Sequence, residues 1–140
     1  MHDGEPDHAA RRSPLALIPY ALTQASRVRQ GPAAIAGNHV ILELDGGVFV
    51  LLAHLRAGSI QVAPGDRVVI GQQLAACGNS GNSTQPHLHI QAMDSIDPYR
   101  AHGLPLAFRS FHLWPRGAVS PRRVEQGLPD NGDVVERIDE

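Results

Sequence analysis

Two histidines two residues apart, His87 and His89, follow a polar glycine loop, Gly78-Asn79-Ser80-Gly81-Asn82-Ser83. A third, His54, closes the apolar run that begins at Val48. On a strand, residues i and i+2 share a face. His87 and His89 therefore project together, roughly 6–7 Å apart along the chain, while Leu88, Ile90 and Ala92 face a core. Two imidazoles on one face beside a glycine loop suit either a metal site or proton transfer near neutral pH. The spacing by itself does not choose between them.

The elements that must position these residues read as short strands. His39 to Leu44 is a strand, and Asp45-Gly46-Gly47 is a hairpin turn of the favoured Asp-Gly kind. Val48 to His54 returns as its partner, apolar on both faces and so central in a sheet. Ser59 to Val62, Arg67 to Val69 and Gln73 to Cys77 read as further strands between Ala57-Gly58, Pro64-Gly65 and Gly71. His87 to Met93 is the last strong strand. Ahead of all this, residues 1–13 are polar and read as loop or tail, and a short helix is expected within 14–30, stopped by Gly31-Pro32. After Asp97-Pro98 the pattern weakens. Tyr99 to His102 suits a helical turn, and Leu104 to Leu113 suits an edge segment packing back. From Pro115, proline, glycine and charge dominate, which predicts an extended tail. The fold class expected is all-β, a compact antiparallel sandwich or barrel-like core over 37–114, with a polar and helical segment over 1–36 and the tail over 115–140.

Composition narrows the function classes. The chain has 140 residues, a net charge of −2 and a pI near 6.4, with no basic stripe for nucleic acid. No apolar run is long enough to span a membrane, and no signal-peptide pattern follows Met1, so a cytoplasmic protein is expected from the chain as written. The one cysteine, Cys77, precludes an intrachain disulfide and reads as a small buried residue at a strand end. All 12 basic residues are arginine.

Several motifs in order resemble the lysostaphin-type zinc metallopeptidases, the LytM class of peptidoglycan endopeptidases. They are Asn38-His39-Val40-Ile41-Leu42, Ala53-His54-Leu55, Gly65-Asp66-Arg67-Val68 with Gly71-Gln72, the loop 78–83, and Pro86-His87-Leu88-His89, with Asp97-Pro98 suiting the end of the core. The resemblance covers about residues 37–98. It implies a compact β fold with a groove, a bound Zn2+, and hydrolysis of peptide bonds in peptidoglycan. By motif position it implies that His89 is a metal ligand and that His87 and His54 are catalytic histidines. The family's other two zinc ligands come from an upstream His-x-x-x-Asp motif. No such motif precedes residue 37: His2 has Pro6 at the fourth position after it and His8 has Arg12. The expectation is an N-terminally truncated member, with two of three zinc ligands missing and an unpaired sheet edge open to self-association. An extracellular or cell-envelope location follows if the natural start lies upstream.

Three other readings fit parts of the pattern. One is an inactive relative acting as a binding or regulatory module. The second is a biotinyl or lipoyl carrier, suggested by Gly65-Asp66 and Gly71-Gln72; it fails for want of a lysine. The third is a cupin-like metal-binding barrel, suggested by Gly81, His87, His89 and Asp94, but the second cupin motif does not follow.

Overall fold

A computed structural model describes residues 1–8, 26, 29, 31–97 and 99–138. The helix expected within 14–30 falls outside them, except that Ser26 and Arg29 are helical. The chain divides into two compact units, Met1–Leu104 and Pro105–Glu140. The described structure is mostly β, with two antiparallel sheets and one very short helix, α1 (Pro32–Ala36).

The first unit is built on the hairpin that the Asp-Gly turn predicts. Strand β1 (Val40–Leu44) pairs with β2 (Val48–Ala53) from Val40↔Leu52 to Leu44↔Val48. Gly46 and Gly47 close the turn at φ of 80° and 76°, backbone that side-chain-bearing residues rarely adopt. Strand β3 (His89–Met93) pairs with β2 on its other side, Ala53 opposite His89 and Phe49 opposite Met93. Strand β4 (Gly103–Leu104) completes the order β1, β2, β3, β4. Thus β2 is central, as its apolar run predicts. Val40, Ala53, Leu55, Ala92 and Met93 are buried and form the core of this unit. Burial of a side chain the size of Met93 contributes about 1.5–3 kcal/mol.

Three expected strands are absent as ladders. Over 59–77 the chain is held by single backbone bonds, Arg56 N–H to Ala76 O at 2.9 Å and Gln61 N–H to Leu74 O at 2.8 Å, and by an isolated bridge between Leu55 and Cys77. The reason is local competition. Asp66 Oδ2 accepts from Ala63 N–H at 2.8 Å, and Gln72 Oε1 accepts from Val69 N–H at 3.1 Å. Those side chains take backbone donors that a ladder would use. Cys77 is exposed, not buried as expected.

Residues 1–8 are not a free tail. His2 and His39 exchange backbone bonds of 3.0 and 2.9 Å, and their rings stack with centroids 6.1 Å apart. Gly58 N–H donates to Asp3 Oδ1 at 2.9 Å. Glu5, Asp7 and His8 bond to the loops described below.

In the second unit, β5 (Phe108–Trp114) is flanked by β6 (Arg122–Gly127) and β7 (Val134–Arg137). This corrects two expectations. The segment read as an edge is the central strand of its own sheet, and the stretch read as an extended tail supplies both of its partners. Phe111 lies opposite Val124, and Leu113 opposite Val135. Such apolar cross-strand pairs stabilise a sheet even between arginines and glutamates, whose charge also keeps exposed edges from associating.

Candidate active site

The three histidines converge, though not by sharing one strand. His54 is the residue after β2 and has φ of 60°. That left-handed backbone ends the strand and turns the ring out of the alternation that Val48, Val50 and Leu52 set. His87 lies before β3, in an isolated bridge with Gly78, and His89 opens β3 opposite Ala53. The His54 ring centroid is 4.7 Å from that of His87 and 6.0 Å from that of His89. His54 is buried, His87 half-buried and His89 exposed. Leu88, expected in the core, is exposed, because the regular strand begins only at His89.

A carbonyl can only accept, so hydrogen bonds fix the tautomers. His54 Nδ1–H donates to Ser80 O at 2.9 Å. His87 Nδ1–H donates to Gln85 O at 2.9 Å, with Ser83 Oγ 3.1 Å away. In the neutral form each ring then keeps its Nε2 lone pair, suited to taking a proton or holding a cation. His89 Nε2 lies 3.3 Å from Gln91 Oε1.

The loop over 78–83 is held from beneath. Ser80, fully buried, donates through Oγ to Leu55 O at 2.8 Å and accepts Asn38 N–H at 3.0 Å. Asn79 N–H donates to Asp7 Oδ1 at 2.9 Å, and Asn79 Nδ2 donates to His8 O at 2.7 Å. His8 Nε2–H donates to Gly81 O at 2.7 Å. These N-terminal partners bond across as many as 73 positions of chain, a separation that no local sequence pattern signals.

Left-handed backbone at a residue with a β-carbon costs about 1–2 kcal/mol. At position 54, His54→Gly should therefore be more stable than His54→Ala by about 1 kcal/mol in urea unfolding. Equal stabilities would mean that the backbone is free to leave that conformation.

Two of the histidines make stability depend on pH. Burial lowers the pKa of His54; the bond to Ser80 O opposes this, and neighbouring His87 and His89 add to it. Burial also lowers His39, against its bond to Gly37 O, with the N-terminus and His2 adding to the fall. Unfolded, both titrate near 6.5. Between that value and the lower folded values the unfolded state binds more protons. Their contribution is therefore complete above about pH 6.5, is lost as pH falls below it, and levels off beneath the folded pKa values. Thermal melts should show a higher Tm at about pH 7.5 than at about pH 5, with a shallower slope in His39→Gln. A flat profile would refute this.

The first unit thus carries a cluster of three histidines beside its glycine loop. The chain matches the family model of Peptidase family M23 over residues 20–100, and it belongs to that family, the lysostaphin type. No solved structure matches the chain. Family members are typically zinc-dependent. Among the described residues no group of three or more His, Cys, Asp or Glu is placed to hold a metal ion. The remaining residues add only Asp139 and Glu140 of those types. Among the described residues no helix is long and apolar enough to cross a membrane.

Proposed function

We propose that this chain is a peptidase domain directed at the peptides of peptidoglycan, with His54 and His87 as its catalytic histidines and His89 as its metal-ligating residue. The observation that carries the reading is the convergence of the three rings on one loop face, with Nε2 left available on His54 and His87. In this role His54 moves a proton at Nε2 while Ser80 O holds its other nitrogen, and His87 does the same against Gln85 O. A catalytic zinc uses three protein ligands, and among the described residues no group of three or more His, Cys, Asp or Glu is placed to supply them. The donor set favours a second reading for the chain acting alone, a peptide-binding module that does not cleave.

Calorimetric zinc titration tests the metal assignment. These residues should bind zinc weakly, since structural and catalytic sites use three or four protein ligands. Tight one-to-one binding that disappears in His89→Ala would sink that expectation and would mean that other side chains stand in. Peptidoglycan-derived peptides, titrated in parallel, should bind the wild type and bind less well to His54→Ala and His87→Ala. Equal binding by all three would remove the peptide reading.

A further inference from the structure

The second unit contains a cleft that the histidine site does not use. It has a volume of about 390 Å3 and lies at the Trp114 end of β5. That size is within the usual range for small-molecule sites. Its walls are two turns. In one, Ala118 N–H donates to Pro115 O at 2.9 Å; in the other, Asp133 N–H donates to Asp130 O at 3.1 Å. The Asp133 carboxylate ties them together, accepting Asp130 N–H at 3.0 Å through Oδ2 and Arg116 N–H at 3.3 Å through Oδ1. The mouth is thus formed before any ligand arrives, which lowers the ordering cost of binding.

The lining has a specific chemistry. Trp114 is half-buried and offers a flat apolar surface, with Val134 beside it. Gly117 and Gly132 carry no side chain to fill the space. A β-carbon at Gly132 would lie 3.4 Å from Arg116 Cδ, so the Arg116 stem runs along that wall. Arg116 is exposed and forms no ion pair among the described residues. Asp133, whose carboxylate accepts the Arg116 amide, spends both oxygens on backbone N–H groups. The cleft is therefore lined by an aromatic side chain and by an arginine without an ion pair among the described residues, and a guanidinium recognises carboxylates in a two-pronged geometry.

We propose that this cleft binds a carboxylate-bearing amino sugar, its apolar face on the Trp114 indole and its carboxylate on Arg116. The choice of a sugar over other carboxylates rests on the peptidoglycan reading above. There the carboxylate is the lactyl group of a muramic residue not joined to a peptide. Such a site would hold the chain on glycan strands, apart from the chemistry at the histidines.

Trp114 is the one tryptophan of the chain, so its emission reports on the cleft directly. N-acetylmuramic acid titrated into the full chain should change that emission saturably, with Kd on the order of millimolar. N-acetylglucosamine, the same sugar without the lactyl carboxylate, should not. Arg116→Gln should weaken binding roughly tenfold or more and Arg116→Lys less. Arg116 is exposed, so these variants should keep the wild-type circular dichroism. Ala118→Leu, which narrows the cleft, should also weaken binding. No saturable change, an equal response to both sugars, or unchanged affinity in Arg116→Gln would each overturn the proposal. Binding here needs neither metal nor hydrolysis. Its failure leaves the peptide reading standing, and a negative peptide titration leaves the measured sugar binding standing.

Discussion

Gly81→Ala should remove about 3–4 kcal/mol of stability, and Gly37→Ala about as much. The two glycines press their backbones together. A β-carbon at Gly81 would lie 2.6 Å from Ile35 O and 2.7 Å from Gly37 Cα, and would also meet Gly37 N. A β-carbon at Gly37 would lie 2.5 Å from Gly81 N and 2.6 Å from Ser80 Oγ. The obstructing atoms are mostly backbone and cannot swing aside, so the overpacking cost falls near the top of the usual range of about 1–3 kcal/mol. Both residues also have positive φ, 62° at Gly37 and 66° at Gly81, which adds about 1 kcal/mol for alanine. A domain of ordinary stability has about 5–15 kcal/mol in total, so either change should lower the urea midpoint sharply. The double variant should cost less than the two singles added, because one separation of the backbones relieves both clashes. A loss under about 1 kcal/mol in either single variant would show that the contact is loose.

That contact explains part of what the sequence could reveal. The hairpin at 45–47 was legible because Asp-Gly chemistry acts within four residues. The central placement of β2 was legible because a run apolar on both faces has few other places to go. The histidine cluster was legible as a set of residues and illegible as geometry. Strand alternation put His87 and His89 together, whereas the structure starts β3 at His89 and brings His54 in through a left-handed residue. No periodicity signals such a residue. The N-terminal segment was illegible for a related reason. Its attachments are isolated backbone bonds at His2 and His8 and side chain to backbone bonds at Asp3, Asn38 and Asn79, which leave no pattern in local hydrophobicity. The second sheet was hidden because Arg122 to Gly127 and Val134 to Arg137 are short and rich in charge. Their strand character comes from Val124 and Val135 opposite Phe111 and Leu113 on β5. Strand identity there is set by the partner more than by the segment.

The same loops account for the second large effect, expected at Asn38. Its side chain is fully buried and satisfied three ways. Oδ1 accepts Glu5 N–H at 2.8 Å, and Nδ2 donates to Glu5 O at 2.7 Å and Leu55 O at 3.2 Å. Asn38→Ala strands these groups. Leu55 O retains the Ser80 hydroxyl, and the Glu5 groups are only part-buried. The cost should therefore be about 3 kcal/mol, within the range for two or three lost bonds to buried partners. Asn38→Asp keeps the volume yet should cost more at neutral pH. Its second oxygen would face two carbonyls, Glu5 O and Leu55 O, with no donor to offer. Burial and those carbonyls would raise the pKa of the new carboxyl above its unfolded value near 3.9. A raised folded pKa contributes stability below the unfolded value and loses it as pH rises through the folded one. Asn38→Asp should thus approach the alanine variant near pH 4 and fall below it near pH 7, while the difference between Asn38→Ala and wild type stays nearly constant. Urea unfolding at both pH values reads this directly. Hydrogen exchange supplies the structural half of the test: amides of His2 and His8, which bond to His39 O and Asn79 O, should exchange faster in both variants. If Asn38→Asp proves as stable as wild type at pH 7, Asn38 does not make the bonds that tie residues 1–8 to the floor of the histidine site.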